Sequence, residues 1–287
     1  MSDSAFIPTE VRVPVVEGRL ECQVIDITAA WLRPAPVVIF QHGIGTDMGI
    51  WSEWLPALAS QYRLVRFSMR GFGNSSLPGD CFDWTLERFS EDLLAVADAA
   101  GASRFHLIAE SFGGTIALHT ALRHPQRVES LGLMSTPHCG AAVLPVQQWP
   151  NYAMTCAGMA QWSAEMMVGR FTEGAVNPRA LAWFQQTQER TTPAMLRHLA
   201  GLVATTDLRP RLAQLQTPAL LMSGDDSPYV GIEQVAALHK LLPHSQVKII
   251  PNARHGIAFS HARECARSFF AFAAGLRGPQ PVPKELL

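Results

Sequence analysis

Lysine is scarce in this sequence, and charge of either sign is sparse. The 287 residues include only three lysines, charged residues make up 16% of the chain, and the formal net charge is −1. A chain without a basic excess, and without a cluster of lysine and arginine, is not expected to bind nucleic acid. Hydrophobic residues make up 48% of the chain, a proportion that excludes a disordered protein.

Long hydrophobic runs and paired cysteines are also missing. The chain contains no run of about 18 apolar residues, so no membrane span is expected. Its first residues lack a basic segment followed by an apolar one, so no secretory signal is expected. The five cysteines are odd in number, scattered and without a CxxC pair, which favours reduced thiols and no zinc site. These features predict a cytoplasmic protein.

Short apolar segments rich in Val, Ile and Leu alternate with helix-length segments along most of the chain. The apolar segments lie at 37–40, 62–67, 105–109, 128–134, 219–222 and 247–250. The helical patterns lie at 85–100, 112–124, 232–242 and 258–276. Because strands that are apolar on both faces are typical of parallel sheets covered by helices, the alternation predicts an α/β fold with a mostly parallel central sheet flanked by helices.

The alternation is interrupted between residues 138 and 207, where no strand pattern is present. This segment is rich in Met, Trp and Gln, and its helical patterns are broken by prolines at 150, 178 and 193. We interpret 138–207 as a helical lid, or cap, inserted in one core domain formed by 1–137 and 208–287. Its Met and Trp side chains either pack within the lid or line a pocket between the lid and the sheet.

A serine flanked by small residues follows the apolar segment at 105–109 and precedes a helical pattern. The stretch Ala109-Glu110-Ser111-Phe112-Gly113 matches the elbow motif G-x-S-x-G, with alanine in place of the first glycine. Small residues are needed in this motif because the serine occupies a strained turn and the strand approaches the helix closely. The pattern predicts that Ser111 is a nucleophile, and a helix-capping serine is the alternative.

Two further segments fit a nucleophilic serine. The loop at 41–45 follows the first long apolar segment, and we expect the Ile44 amide in this loop to donate a hydrogen bond to the oxyanion. The expected second donor is the amide of Phe112, the residue after the nucleophile. His255 lies in the loop after the last predicted strand, where a histidine completes the order serine, acid, histidine. We predict that it takes the proton of Ser111 and returns it to the leaving group.

These motifs together resemble those of the α/β-hydrolases, over nearly the whole chain, and in particular those of the 3-oxoadipate enol-lactonases. The stretches that carry the resemblance are 45–51, 70–75, 110–118, 206–209 and 253–256. The resemblance implies a serine hydrolase with a catalytic triad, an oxyanion hole and a cap. The resemblance indicates the fold more specifically than the substrate, because the enol-lactonases resemble esterases, other lactonases and C–C hydrolases of the same family.

The triad acid is where the chain departs from the family pattern. In the family the acid lies three residues after the glycine that follows this strand. Here the strand is expected to end at Ser223, the glycine is Gly224, Ser227 occupies the acid position, and Asp226 lies one residue earlier. We expect Asp226 to orient His255 through a shifted loop. The alternatives are Asp225, or an imidazole oriented by Ser227 or by water. Loss of the carboxylate would lower the rate by about 10⁴-fold, as in a serine protease.

The sequence therefore predicts an enzyme that cleaves a carboxylic ester or lactone of a small molecule through an acyl-enzyme, an enol-lactone being one candidate. The same fold performing C–C bond hydrolysis, lyase chemistry or cofactor-free oxygenation is the alternative. No cofactor and no metal ion are expected. The expected binding partner is the small-molecule substrate, and binding to nucleic acid or to a membrane is not expected. The sequence does not distinguish a monomer from a homodimer. Four lid cations are candidates for binding a substrate carboxylate: Arg170, Arg179, Arg190 and Arg197.

Overall fold

The computed structural model has one central sheet of eight strands, and the sheet is mostly parallel. The structure describes residues 8–79, 81–140, 143 and 146–276, without the side chains of Gln147 and Cys156. The strands are β1 (Thr9–Val15), β2 (Gly18–Ile25), β3 (Val37–Gln41), β4 (Arg63–Phe67), β5 (Phe105–Glu110), β6 (Val128–Met134), β7 (Ala219–Gly224) and β8 (Ser245–Ile250). Their order across the sheet is β1-β2-β4-β3-β5-β6-β7-β8, and only the pairs β1–β2 and β2–β4 are antiparallel.

The helices cover both faces of the sheet. They are α1 (Leu55–Leu58), α2 (Leu86–Ala99), α3 (Phe112–Arg123), α4 (Trp149–Tyr152), α5 (Cys156–Arg170), α6 (Pro178–Glu189), α7 (Pro193–Thr205), α8 (Arg209–Leu212), α9 (Ile232–Leu241), α10 (Ile257–Ser260) and α11 (Ala262–Leu276). Strand β3 shows how the core is divided: Ile39 packs into the cluster on one face and Phe40 into the cluster on the other. The predicted fold class is confirmed.

The N-terminal hairpin is the part of the sheet that the sequence analysis missed. Four of the seven residues of β1 are exposed, the buried residues of β2 are separated by partly exposed ones, and the two strands add an antiparallel pair at one edge. Continuous apolar segments are the signal of central parallel strands, and neither strand of this hairpin contains one. The hairpin lies at the far edge from β7 and β8.

Helices α4 to α7, which we call the inserted helices, lie between β6 and β7 in the chain. Apart from a single isolated bridge between Cys139 and Asp207, the described residues between these strands form no strand. That bridge places the entry and exit of the segment side by side. Pro178 and Pro193 begin α6 and α7 rather than breaking a helix, since a proline at the first helical position loses no intrahelical hydrogen bond. The core and lid boundaries given above stay predictions.

Within the described residues, no helix is long and apolar enough to cross a membrane. Four cysteines form no disulfide: Cys22, Cys81, Cys139 and Cys265. The side chain of Cys156 lies outside the described part of the chain.

Candidate active site

The centre of the site is Ser111, which occupies the sharp turn between β5 and α3. Its φ of 55° and ψ of −126° are strained for a residue with a side chain. Its amide donates to the carbonyl of Met134 at 2.8 Å, which ties the turn to the end of β6. A Cβ at Gly113 would collide with the carbonyl oxygen of His42. The start of α3 therefore lies against the backbone at the end of β3, where only a glycine fits.

His255 lies beside this serine. Its Nε2 atom is 2.9 Å from Ser111 Oγ, and its side chain is buried. The loop that carries it is held from two sides: Ser135 Oγ donates to the His255 carbonyl at 2.9 Å, and the His255 amide donates to the carbonyl of Gly169 at 3.3 Å. The fold thus brings together two predicted residues that lie 144 positions apart.

Asp226 does not reach His255, contrary to our expectation. Its carboxylate is exposed and forms an ion pair with Arg254 at 3.0 Å. The backbone explains this placement, because the Asp226 amide donates to the Ala253 carbonyl at 3.0 Å. Asp225 points to the same turn and accepts from the Ala253 amide at 3.2 Å. A one-residue shift of the loop would break this pairing, so the expected shift does not occur and Ser227 faces the imidazole.

The Ser227 hydroxyl occupies the position opposite the second ring nitrogen of His255. Its Oγ is 3.3 Å from Nδ1 and also accepts from the amide of Val230 at 3.2 Å. Since Nε2 faces the hydroxyl of Ser111, the partners fit the tautomer in which Nδ1 carries the proton and donates it to Ser227. The orienting group in this geometry is a neutral hydroxyl.

The electrostatic surroundings of His255 oppose its protonation. Burial, followed by the nearby guanidinium of Arg170, lowers the pKa of His255 to about 3. In a triad with a carboxylate, the negative charge would stabilise the imidazolium. No carboxylate of the described residues offsets the shift here. His255 is consequently neutral over the ordinary pH range, and it is a weak base.

The loop that was expected to supply an oxyanion donor is held by His42. Its Nε2 accepts from the amide of Met69 at 2.8 Å and its Nδ1 donates to the carbonyl of Gly43 at 2.8 Å. Burial lowers the pKa of His42 to about 4, which keeps the ring neutral in that tautomer. Thr46 Oγ1 also donates to the Gly43 carbonyl, at 3.1 Å. Because a trans peptide group is planar, the amide of Ile44 points away from that carbonyl.

The two expected oxyanion donors are therefore available for hydrogen bonding. Among the residues that the structure describes, the Ile44 amide donates to no backbone carbonyl. Phe112 is the first residue of α3, and the first amides of a helix have no intrahelical acceptor. Both residues are buried next to the elbow.

Glu110 and Arg170 form a buried ion pair beside the nucleophile, which was not predicted from the sequence. Arg170 Nη1 lies 3.4 Å from Glu110 Oε1, and both side chains are 2% exposed. Glu110 Oε2 accepts from the amide of Gly43 at 3.1 Å. Burial raises the pKa of Glu110, and the guanidinium opposes that shift. Neither residue type nor spacing indicated the pair, because the two side chains belong to distant segments.

Three of the four cations considered above lie at the surface, and the fourth is buried and paired. Arg179, Arg190 and Arg197 are exposed, and Arg197 donates to the carbonyl of Ala153 at 3.0 Å. Arg170 is buried, but its charge is already balanced by Glu110. The described residues also contain no group of three His, Cys, Asp or Glu side chains that could hold a metal ion.

The chain belongs to the α/β-hydrolase fold family, whose sequence profile matches residues 36–186. The resemblance predicted from the motifs is thereby confirmed.

Two relatives and one solved structure illustrate the family. The chain is 29% identical over 245 residues to the pimeloyl-acyl-carrier-protein methyl ester esterase of Aeromonas hydrophila, covering 80% of this chain and 92% of that protein. It is 26% identical over 220 residues to 3-oxoadipate enol-lactonase 1 of Acinetobacter baylyi, covering 75% and 80%. The enol-lactonase structure from Burkholderia xenovorans superposes with a TM-score of 0.81 at 21% identity, covering 93% of this chain and 100% of that one. At that identity, the superposition shows the fold alone.

Proposed function

We propose that this protein hydrolyses a carboxylic ester or lactone of a small molecule through an acyl-enzyme on Ser111. The observation that carries the proposal is the 2.9 Å contact between Ser111 Oγ and His255 Nε2 at a strained elbow between strand and helix. Relatives named as an esterase and as an enol-lactonase support it. A serine hydroxyl paired with a neutral imidazole can act as a nucleophile on a carbonyl carbon.

The reaction follows from the positions of these groups. Ser111 Oγ attacks the carbonyl carbon while His255 Nε2 takes the hydroxyl proton, and the amides of Ile44 and Phe112 bind the oxyanion. Collapse of the tetrahedral intermediate breaks the ester bond, and the imidazolium gives the proton to the leaving oxygen. Water then attacks the acyl-enzyme with the same proton transfers and regenerates Ser111.

The neutral hydroxyl at the acid position indicates which esters would react fastest. A histidine with a pKa of about 3 is a weak base, and no carboxylate stabilises the imidazolium that forms in the transition state. Esters with a stable leaving group, such as an enol or a phenol, need the least help from that imidazolium. We therefore propose enol or aryl esters, including lactones, as the substrate class.

The charges around the site further limit the substrate. Glu110 balances the buried charge of Arg170, and the other three lid cations are exposed. A substrate carboxylate next to the reacting carbonyl would therefore lack a free cation to pair with, and burial of an unpaired charge is unfavourable. This favours an acyl group that carries no charge near the carbonyl.

The test is a phosphonate serine probe combined with an ester panel. We expect stoichiometric labelling of the wild-type protein, measured by intact mass, and no labelling of Ser111→Ala. On uncharged acetates, we expect kcat/KM to rise steeply as the leaving group becomes more acidic. Absence of labelling in folded protein would refute the acyl-enzyme. Incorporation of oxygen from O₂, or release of an intact carbonyl fragment, would instead indicate the oxygenase, lyase or C–C hydrolase alternative.

A further inference from the structure

The side chain of Arg170, at the end of α5, connects three segments that are distant in sequence. Each of its nitrogens has a different partner: Nε donates to Gln188 Oε1 at 2.9 Å, Nη1 to Glu110 Oε1 at 3.4 Å and Nη2 to the carbonyl of Ile44 at 2.5 Å. Gln188 is itself fixed, because its Nε2 donates to the carbonyl of Ser163 at 2.8 Å. A planar guanidinium satisfies three directions at once, and a lysine ammonium does not reproduce that geometry.

The backbone at the same helix end holds the histidine loop. The carbonyl of Gly169 accepts from the amide of His255 at 3.3 Å, and the carbonyl of Arg170 accepts from the amide of Gly256 at 2.9 Å. The last carbonyls of a helix have no intrahelical donor, so these two amides satisfy them. The end of α5 therefore contacts the nucleophile turn, the oxyanion loop and the histidine loop.

The contacts of Arg170 and Glu110 act on the peptide groups around the Ile44 amide. The amide of Gly43 donates to Glu110 Oε2 at 3.1 Å, and the carbonyl of Ile44 accepts from Arg170. The peptide group that joins Gly43 to Ile44 contains the Ile44 amide, and His42 donates to the carbonyl of that group, which belongs to Gly43. Three successive planar groups are thus oriented by side chains, and the direction of the Ile44 amide follows from them.

We propose that Arg170, paired with Glu110, is a positioning residue that aims the Ile44 amide at the oxyanion and makes catalysis depend on the placement of the inserted helices. This inference rests on the proposed function, because it assigns a role in the same acyl transfer. Arg170 touches neither the nucleophile nor the general base with its side chain. Its charge also lowers the pKa of His255, and Arg170→Lys keeps that charge. Its positioning effect passes through the backbone of the oxyanion loop, where small displacements strongly affect rates.

The kinetic test compares Arg170→Met and Arg170→Lys with Arg197→Met as the matched control. Arg197 is also an arginine of the inserted helices, but it is exposed and donates to the carbonyl of Ala153. For both Arg170 variants we expect kcat on an aryl ester to fall about 10- to 100-fold, with KM changed less than about threefold. The control is expected to keep the wild-type kcat. Arg170→Lys serves if the methionine variant does not fold.

A second readout separates positioning from a merely structural role. An arylboronic acid becomes a tetrahedral anion on Ser111, whereas the product alcohol does not. We expect the affinity for the boronic acid to fall in parallel with kcat in the Arg170 variants, and the affinity for the alcohol to stay unchanged. Equal losses for both ligands, or an unchanged kcat, would overturn the proposal.

Hydrogen exchange tests the positioning without turnover. Glu110 accepts from the amide of Gly43, and Arg170 donates to the carbonyl of Ile44. We therefore expect peptides covering 42–46 to exchange at least about tenfold faster in the Arg170 variants than in Arg197→Met. Unchanged exchange would refute the positioning role even if Ser111 proved not to be a nucleophile. Conversely, faster exchange in a protein that phosphonates do not label would refute the acyl-enzyme alone.

Discussion

Replacement of Ser227 by aspartate should increase the activity, because it would supply the carboxylate that the site lacks. Ser227 Oγ is 3.3 Å from His255 Nδ1, and the Val230 amide, 3.2 Å away, can hydrogen-bond to an introduced carboxylate. An opposite charge within about 4–6 Å raises the pKa of a histidine by about 1–3 units. The pKa of His255, about 3 in the wild type, is therefore expected to rise in Ser227→Asp.

The expected gain follows from that shift. Each pKa unit corresponds to about 1.4 kcal/mol of stabilisation of the imidazolium, or about tenfold in rate if the imidazolium is fully formed in the transition state. Ser227→Asp should therefore raise kcat/KM on an aryl ester about 10- to 1,000-fold. This range lies below the loss of about 10⁴-fold that follows from removing the charge of a native triad aspartate.

Ser227→Asn is the matched control, since asparagine has nearly the size of aspartate without the charge. We expect it to leave kcat/KM within about threefold of the wild type, while Ser227→Ala should lower it about 3- to 10-fold through loss of one hydrogen bond. The assay is kcat/KM between pH 5 and 8, with melting temperatures to show that each variant is folded. A Ser227→Asp variant no faster than Ser227→Asn would refute the view that the missing carboxylate limits the rate.

Asp226→Asn tests the placement of the loop in the same assay. Because Asp226 pairs with Arg254 at the surface, we expect kcat/KM to stay within about threefold of the wild type, in line with the small effect of exposed ion pairs. A loss of 100-fold or more would show that Asp226 orients His255 after all. The observed pairing between Asp226 and Ala253 would then not describe the active enzyme.

Two further predictions concern stability and the oxyanion loop. The pKa values of His42 and His255, about 4 and about 3, lie below the value of about 6.5 for a histidine of the unfolded chain, so the unfolded state binds more protons as the pH falls. Each histidine should therefore lower the free energy of unfolding by about 2 kcal/mol between pH 8 and pH 5. Urea unfolding measured at pH 8 and pH 5 tests this, and an unchanged free energy of unfolding would contradict it. Gly43→Ala should lower kcat about 100-fold, because a Cβ there would lie 3.0 Å from Ser111 Cβ and 2.8 Å from Glu110 Oε2. Gly201→Ala, at a helical position with nothing within 4 Å, is the control, and an equal loss in both variants would refute the steric explanation.

The fold and the principal pair of the candidate site, Ser111 and His255, could be predicted from the amino-acid sequence. Continuous apolar segments indicated the central strands because strands covered on both faces need no polar side. The small residues around Ser111 and the position of His255 after the last strand indicated an elbow and a histidine loop, and both are local properties of the chain. The edge strand β1 and its neighbour β2 escaped this reading because neither is a continuous run of buried residues.

The groups that surround this pair depend on the tertiary structure. Ser227, not Asp226, faces His255 because backbone hydrogen bonds between the loops after β7 and β8 set their register. Arg170 balances Glu110, rather than facing an open pocket, because the end of α5 packs on the oxyanion loop. Both outcomes depend on contacts between segments far apart in sequence, and the spacing of residues along the chain carries no information about such contacts.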